Sequence, residues 1–449
     1  MFDVILAMTK SGGIGKNGSI PWKCEEELDI FKQKTMGKTV IMGRKTAASI
    51  PNLPGREVVV LSSKCFMDVI QECKTTLAGV YQCLYDALVS INGEKMVAGG
   101  AEIYNTVFKE ARCCIRQVHL SIMNDECECD TFVEFDPSEW TVLEKVKHDK
   151  FVHYVISPVE SGEKVYLQLL RDVFINGTTR EGRNGMAKSM FGKTLTFNLT
   201  AGFPLLTTKK MFFRGVVEEL LFFIRGDTDS KLLEDKKINI WRGNTNREFL
   251  DSIGMNKRRK GVMGPMYGYQ WRNYNAPYDE EKATAKGKGY DQLVEVVHKI
   301  RHDPGSRRIL LTDFNPLQAK EGVLYPCHSI ILQFYVDGGF LDMFCFNRSS
   351  DLFHGLPFNI ASSALLQTFI AQITGLEARN FILSLGDAHI YESHYHVVEK
   401  QLQRIPYSAP TLKIKKTLNE IKDIEELQYK DIEVSEYIAY PTLKVAMVS

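Results

Sequence analysis

The chain has 449 residues, a length at which two separately packed domains are more usual than one hydrophobic core. Its 56 Lys and Arg residues nearly balance its 55 Asp and Glu residues, which gives a formal net charge of +1. This balance excludes a protein-wide positive field that would attract nucleic acid or an anionic membrane. Any anionic ligand must therefore be bound by local clusters of cationic side chains.

The cysteines and the lack of a targeting pattern predict a cytoplasmic protein. The first residues carry no basic segment followed by an apolar one, and no apolar run of about eighteen residues occurs. Ten cysteines in such a chain are expected to be free thiols in a reducing compartment. Cys113-Cys114 and Cys127-Glu128-Cys129 lack the second pair of ligands that a zinc site needs, so we predict no metal site.

Residues 1–156 alternate short β-branched runs with helical segments, which predicts an α/β domain with a mixed central sheet and flanking helices. Three apolar runs are too short for helices and predict buried strands: residues 39–42, 58–61 and 96–98. A further predicted strand, residues 151–156, closes the domain.

A helix is predicted over residues 25–35, and its apolar face contains an anomalous acidic residue. Four residues would share that face: Cys24, Glu27, Leu28 and Phe31. If Glu27 is desolvated by these neighbours and Trp22, its pKa is raised and it can protonate a nitrogen heterocycle. The alternative is a solvent-facing carboxylate in a cluster of three glutamates.

Several glycine-rich segments are candidates for binding phosphate. Gly13 to Gly18 match the G-x-G-x-x-G pattern, but Pro21-Trp22 follows and forbids the helix that a dinucleotide fingerprint requires. We interpret this segment as a loop over a cleft. The better phosphate candidates lie between predicted strands and helices: residues 43–46, 62–64 and 99–101.

The motifs of residues 1–156 resemble the dihydrofolate reductase family: Pro21-Trp22, Glu27, Met42-Gly43-Arg44-Lys45-Thr46, Leu53-Pro54-Gly55-Arg56 and Gly99-Gly100 with Tyr104. The resemblance implies reduction of dihydrofolate with NADPH. It implies that Glu27 binds the pterin and supports its protonation, and that the folate site comprises Ala7, Glu27, Phe31, Arg56 and Ser121. The implied NADPH site comprises Ala7, Ile14, Gly15, Arg44, Lys45, Thr46, Ser62, Ser63, Lys64, Gly99, Gly100 and Tyr104, with Arg44, Ser63 and Lys64 favouring its additional phosphate.

Residues 157–163 are rich in Pro, Gly and Ser, which predicts a short linker. A helical period begins at Val165, and long amphipathic segments follow at residues 216–224, 292–300 and 361–373. We therefore predict a second domain over residues 164–449, of the α+β class.

Cys327 is the candidate nucleophile of this second domain. A neighbouring guanidinium lowers a cysteine pKa, so Arg348 would favour the thiolate and bind an anionic substrate. Arg183, Arg307 and Arg308 suggest a phosphate clamp, although an Arg-Arg pair is more often a surface feature. His328 is not assigned as the base, because neighbours in a strand point to opposite faces.

The second domain resembles the thymidylate synthase family through an ordered series of motifs: Phe203 to Lys209, Glu218 to Leu221, Gly264-Pro265 with Tyr267-Gly268, Ser306-Arg307-Arg308, Pro326-Cys327-His328, Arg348 to Asp351, Leu356 to Asn359 and Gly386 to Tyr391. The resemblance implies methylation of dUMP by 5,10-methylenetetrahydrofolate, with Cys327, Glu219, Asn359 and Tyr267 as catalytic residues. The implied dUMP site comprises Arg183, Arg307, Arg308, Arg348, Ser349, Asp351, Asn359, His389 and Tyr391. The implied folate site comprises Lys209, Trp241, Asp351, Gly355 and Phe358.

Fused in this order, the halves resemble the bifunctional dihydrofolate reductase–thymidylate synthase family, in which the second domain makes the dihydrofolate that the first consumes. The resemblance implies a homodimer through the synthase domain, with Arg307 and Arg308 donated to the partner's dUMP site. Two alternatives stay open. A deoxycytidylate hydroxymethylase fused to a reductase would need an acidic residue at Asn359, and an inactive RNA-binding regulator would be expected to lack Cys327, Glu219 or Glu27.

Overall fold

The structure is a computed structural model that describes residues 1–158, 162–182 and 184–445, apart from the side chain of residue 113. Its chain forms two compact units. Unit 1 comprises Met1–Glu160 with Ile405–Ser408, and unit 2 comprises Ser161–Arg404 with Ala409–Ser449. The predicted domain boundaries stay a prediction. Of the predicted linker, Ser157 ends a strand, Gly162 and Glu163 begin a helix, and residues 159–161 lie outside the described residues.

A mixed sheet forms the centre of unit 1. The strands β5-β4-β3-β6-β1-β7 lie side by side in this order and run parallel. At one edge, β10 pairs antiparallel with β7, and β9 pairs antiparallel with β10. Outside this sheet, β2 pairs with β8. The strands are β1 (Phe2–Met8), β2 (Gly13–Gly15), β3 (Thr39–Gly43), β4 (Glu57–Leu61), β5 (Leu77–Tyr81), β6 (Lys95–Val97), β7 (Ile115–Met123), β8 (Thr131–Phe132), β9 (Thr141–Lys147) and β10 (Phe151–Ser157).

Five α-helices of unit 1 are described, and the first has the predicted bounds. They are α1 (Glu25–Thr35), α2 (Arg44–Ser49), α3 (Phe66–Glu72), α4 (Leu84–Ser90) and α5 (Ala101–Glu110). No helix begins at Gly18 in this described segment, which confirms that the glycine pattern there is not a dinucleotide fingerprint. Residues 39–42 are all buried, because strands inside a parallel sheet are covered on both faces.

Unit 2 is built around a second sheet with the strand order β11-β12-β18-β17-β16-β15, antiparallel except for the β17–β18 pair. Two small ribbons complete its strands. The strands are β11 (Thr178–Gly182), β12 (Gly185–Asn198), β13 (Tyr278–Asp279), β14 (Thr284–Ala285), β15 (Leu310–Thr312), β16 (Ile331–Asp337), β17 (Phe340–Asp351), β18 (Glu377–Tyr391), β19 (Thr411–Ile414) and β20 (Ile432–Ser435).

The helices of unit 2 include each of the predicted amphipathic segments. They are α6 (Gly162–Asn176), α7 (Phe213–Ile224), α8 (Lys231–Glu234), α9 (Arg242–Thr245), α10 (Arg247–Ser252), α11 (Gly268–Asn273), α12 (Gln292–His302), α13 (Leu356–Thr374), α14 (Tyr395–Leu402) and α15 (Ile421–Glu425). The predicted α/β and α+β classes are thus confirmed.

Helix α13 passes through the core of unit 2. It is apolar on most of its surface, as expected of a helix covered all around. Pro357 occupies its first turn, where a missing N–H is tolerated, and Gly375 ends it with a φ of 72°. Within the described residues, no helix combines the length and the apolar composition needed to cross a membrane.

Candidate active sites

The acidic residue of helix α1 faces the interior of unit 1. Glu27 is 6% exposed, and burial raises its pKa from 4.5 to about 7. This confirms the prediction of a desolvated carboxyl group. Leu28 was predicted to share the buried face of this helix, and that prediction is wrong, because Leu28 is 54% exposed. The helix is rotated so that the carboxyl group, rather than the leucine, points inwards.

The other predicted folate residues of unit 1 lie on α1 itself, on strands β1 and β7, and in the loop before β4. Phe31 lies one turn further along α1 and is half-buried. Ser121 on β7 is in register with Ala7 on β1, and its hydroxyl lies 3.1 Å from Nδ1 of His153. Burial lowers the pKa of His153 to about 4, so this buried histidine is neutral at physiological pH.

Arg56 is the cation predicted to bind a folate carboxylate. Its Nη1 donates to the Thr35 hydroxyl at 3.3 Å, while its Nε has no hydrogen-bond partner among the described residues. Burial lowers the pKa of Arg56 from its usual value. The Nε donor of this guanidinium is thus buried without an acceptor, which is uncommon for a buried polar group.

The turns at Gly43 and Gly99-Gly100 form a backbone cradle in which an added Cβ atom would crowd a neighbouring side chain. Helices α2 and α5 begin after Gly43 and Gly100, and neither N-cap has a side-chain cap. A Cβ atom at Gly100 would lie 2.9 Å from Oγ1 of Thr46, and one at Gly99 would lie 3.2 Å from Cγ2 of Thr46. Free N–H groups at helix N-termini favour phosphate oxygens, so these residues fit a dinucleotide pyrophosphate.

Cationic side chains flank this cradle. Arg44 begins α2, and Lys64 follows β4 with its N–H donating to Oγ of Ser62 at 3.0 Å. Both cations pair with the carboxylate of Glu72, a residue that the sequence prediction missed. The Tyr104 hydroxyl donates to the Ile5 carbonyl at 2.6 Å and thereby attaches α5 to the central strand. The remaining predicted cofactor residues lie on separate elements: Ile14 and Gly15 in β2, Lys45 in α2 and Ser63 just after β4.

In unit 2, Cys327 lies in the loop before β16 rather than in a strand, so the strand argument about His328 is wrong. The Cys327 carbonyl accepts from Ser349 N at 3.3 Å, and Arg348 donates through Nε to the Pro326 carbonyl at 3.0 Å. Oη of Tyr267 lies 3.4 Å from Sγ of Cys327. The loop that carries the thiol is thus attached to β17 by backbone and guanidinium hydrogen bonds.

Burial dominates the electrostatics of this thiol. It raises the pKa of Cys327, while the hydrogen bond from Tyr267 and the charge of Arg348 act in the lowering direction. The predicted lowering of the Cys327 pKa is therefore wrong. The predicted direction of the effect of Arg348 on that pKa is confirmed. His328 stacks on Tyr267 with ring centroids 4.3 Å apart, and burial lowers its pKa to about 4. His328 is accordingly neutral at physiological pH.

Glu219 on α7 is a second carboxyl group with a raised pKa, and its side chain is partly buried. Burial raises this pKa to about 7, and Nε1 of Trp241 donates to the carboxylate at 2.8 Å, which acts in the opposite direction. A group that titrates close to neutral pH can take up and release protons during turnover.

Strands β17 and β18 place polar side chains side by side. Their parallel register pairs Ser349 with Asp387 and Asp351 with His389, and Nδ1 of His389 lies 3.0 Å from Asp387. Tyr391 is two residues further along β18, on the same face because side chains alternate along a strand. The first turn of α13 supplies the remaining predicted residues: Phe358 and Asn359, just after Gly355.

Three cations that the sequence placed on substrates have different surroundings. Arg307 and Arg308 are exposed, whereas Lys209 is buried and donates to the Phe353 carbonyl. Burial lowers the pKa of Lys209 to about 7. Its predicted contact with the folate tail would require the side chain to leave this position. Arg183 lies outside the described residues, as does the C-terminal tail at residues 446–449.

Sequence reasoning also missed two buried carboxyl groups in unit 2. Glu163 accepts from the backbone N–H and the hydroxyl of both Thr207 and Thr208, and so supports the segment that leads to Lys209. Asp313 is 1% exposed, and neither of its oxygens has a hydrogen-bond partner in the described part of the chain. The signal for Asp313 was a charged residue at the end of an apolar run, Ile309 to Thr312.

Comparison with known proteins matches both units. The dihydrofolate reductase family model matches residues 1–157, and the thymidylate synthase family model matches residues 164–449. A bifunctional dihydrofolate reductase-thymidylate synthase of Paramecium tetraurelia is 37% identical over 468 residues, covering 99% of this chain and 98% of that protein. The chain belongs to the bifunctional dihydrofolate reductase–thymidylate synthase family. Proteins of the same name from Zea mays and Leishmania major are 36% and 34% identical, each over 99% of this chain and over 96% and 95% of their own lengths.

Membership of this family decides both activities. The reductase unit reduces dihydrofolate with NADPH, and the synthase unit converts dUMP to dTMP with 5,10-methylenetetrahydrofolate. The alternative of a deoxycytidylate hydroxymethylase is not supported. Among the described residues of the reductase–synthase chain, no group of three or more His, Cys, Asp or Glu side chains could hold a metal ion.

Proposed function

We propose that Glu27 supplies the proton for dihydrofolate reduction, with Phe31 packing on the pterin and Arg56 binding the folate α-carboxylate. The burial of Glu27 carries this assignment, because a carboxyl group with a pKa of about 7 is partly protonated at neutral pH. Ser121 and Ala7 would complete the folate site from the neighbouring strands. The hydrogen bond from Arg56 to Thr35, the last residue of the helix that carries Glu27, supports a cation beside that helix.

The glycine cradle would hold the cofactor of the reductase. When bound, NADPH supplies the hydride for reduction. Gly99 and Gly100 with Thr46 and Lys45 would bind its pyrophosphate, and Arg44, Ser63 and Lys64 would bind its 2′-phosphate. The remaining predicted residues would complete the NADPH site: Ala7, Ile14, Gly15, Ser62 and Tyr104. The crowding of Thr46 against any added Cβ at Gly100 supports this assignment.

In the synthase unit, we assign Cys327 as the nucleophile that adds to C6 of dUMP. Its thiol must lose a proton to react, and the Tyr267 hydroxyl and the Arg348 guanidinium both favour the thiolate. Glu219 would organise water and move protons near the base, where its pKa of about 7 suits either direction of transfer. The co-substrate, when bound, supplies the one-carbon unit.

Substrate recognition would use the polar edge of the second sheet. Asn359 would bind the amide edge of uracil, and His389 with Tyr391 would bind the 3′-hydroxyl of the deoxyribose. Asp351, Trp241, Gly355 and Phe358 would contact the folate, with Lys209 towards its tail. Asp351 and His389 are neighbours in the β17–β18 register, which supports a folate site directly beside the nucleotide site.

The nucleotide phosphate would be bound by Arg183, Arg348 and Ser349, with Arg307 and Arg308 from a second subunit. A sheet face with exposed apolar side chains supports the homodimer. Leu310, Ile331, Tyr335 and Phe344 all lie on this face, and Tyr335 is 64% exposed. Arg307 is at the rim of the face, because its carbonyl accepts from Gln333 at 3.3 Å. A second copy packed on this face would cover the apolar residues. Arg307 and Arg308 of each subunit would then reach the dUMP site of the other subunit.

Mixing two inactive variants tests this shared site. Cys327→Ser and Arg307→Ala/Arg308→Ala subunits should each lack synthase activity as homodimers. In a heterodimer, one site carries both lesions and the other carries none. Random reassortment makes about half of the dimers mixed, so roughly a quarter of the wild-type activity should return. Heterodimers seen by mass spectrometry without regained activity would refute donation across the interface.

We further propose that residues 157–163 link a reductase domain, residues 1–156, to a synthase domain, residues 164–449, and that the protein is cytoplasmic. The family matches on either side of the linker support the boundary. Exposed free thiols at Cys65 and Cys83 suit a reducing compartment.

A further inference from the structure

A single carboxylate bridges the two cations assigned to the 2′-phosphate of NADPH. Nζ of Lys64 lies 2.5 Å from Oε1 of Glu72, and Arg44 pairs through Nη1 with Oε2 of the same side chain. These hydrogen bonds hold the pKa of Glu72 below its usual value, with Lys64 contributing most, so Glu72 is anionic at neutral pH. The bridge therefore occupies both cations with one negative charge.

Helix stability does not account for this arrangement. Glu72 is the last residue of α3, and Arg44 is the first residue of α2. The helix dipole disfavours an anion at a helix C-terminus and a cation at a helix N-terminus, so each charge lies at the unfavourable end of its helix. The attraction between Glu72 and the two cations offsets this disadvantage.

We propose that Glu72 determines cofactor specificity by competing with the 2′-phosphate of NADPH for Arg44 and Lys64. This inference rests on the proposed function of those two cations. A phosphate monoester carries nearly two negative charges and three acceptor oxygens, so it can replace the carboxylate on both cations. NADH carries no such phosphate and leaves the bridge intact. Glu72 thus weakens NADPH binding selectively and reduces the preference for NADPH over NADH.

The test compares Glu72→Gln with Asp68→Asn in the full-length protein. Asp68 is exposed on the same helix, α3, so its substitution removes the same charge without touching the bridge. Dissociation constants for NADPH and NADH are measured by fluorescence titration, and those for adenosine 2′,5′-bisphosphate and adenosine 5′-monophosphate by calorimetry. Glu72→Gln should tighten NADPH and the bisphosphate by about two- to fivefold, the range that a single exposed ion pair covers. NADH and the monophosphate should bind as in the wild type.

A second pair of variants separates failure of this inference from failure of the phosphate site itself. Arg44→Ala/Lys64→Ala should weaken NADPH but not NADH, and adding Glu72→Gln to it should then change nothing. If the double variant leaves both dissociation constants unchanged, the phosphate site is misassigned. Suppose instead that the double variant weakens NADPH binding. Competition by Glu72 is then refuted if Glu72→Gln has no effect, if it tightens NADH as much as NADPH, or if Asp68→Asn acts as strongly as Glu72→Gln.

Discussion

Replacing Glu27 by Gln should stabilise the reductase unit at alkaline pH while slowing its reaction. Burial raises the pKa of Glu27 from 4.5 to about 7. A carboxyl group with a raised pKa holds its proton more tightly in the folded state. Its ionisation therefore destabilises the folded state as the pH rises from the pKa of the unfolded state to the pKa of the folded state. The full loss of unfolding free energy is present above a pH of about 7.

The size of this effect follows from the two pKa values. Each pKa unit corresponds to about 1.4 kcal/mol, so the shift from 4.5 to about 7 makes ionised Glu27 cost ~3 kcal/mol of unfolding free energy. A glutamine cannot ionise and avoids this cost. The variant should thus gain about 3 kcal/mol at pH 8 and less than about 1 kcal/mol at pH 5. Its turnover of dihydrofolate at neutral pH should fall by at least about 100-fold.

Native-state hydrogen exchange of the full-length protein can measure this gain, because peptides from β1 and α1 report on the reductase unit alone. Glu25→Gln is the matched control, since Glu25 is exposed on the same helix, and it should change stability little at either pH. Equal stabilisation by Glu27→Gln at pH 5 and pH 8 would refute the argument from burial. Unchanged reduction of dihydrofolate would place the proton donor elsewhere.

Two further predictions concern the synthase unit. Cys327→Ser should abolish dTMP formation and leave NADPH-dependent reduction of dihydrofolate nearly intact, because a neutral hydroxyl is a poor nucleophile; loss of both activities in parallel assays would contradict two separate sites. Trp241→Phe removes a donor to the Glu219 carboxylate, so the kinetic pKa assigned to Glu219 should move upwards by up to about one unit in the pH profile of kcat/KM. Trp271→Phe, which alters another buried indole of this core, should leave that value in place; an equal shift would mean that repacking, not the hydrogen bond, is responsible.

The elements and the chemistry of both units could be predicted from local sequence patterns. Helix α1 has its predicted bounds, and the strands at residues 39–42 and 58–61 lie inside β3 and β4, because hydrophobic periodicity is a local property. Motif order indicated a reductase followed by a synthase, and the family matches confirm it. The nucleophile and the acidic residues were candidates on residue type and spacing alone.

The solvation of each side chain depends on long-range packing and could not be predicted from local sequence patterns. The sequence placed Leu28 beside Glu27 on one face, and packing against the sheet exposed the leucine and buried the acid. It predicted a lowered pKa for Cys327 from Arg348, but the burial of the thiol outweighs that charge. It gave no sign that Glu72 meets Arg44 and Lys64, which come from separate segments of the chain. Desolvation and ion pairing depend on residues distant in sequence, so they arise only when the chain has folded.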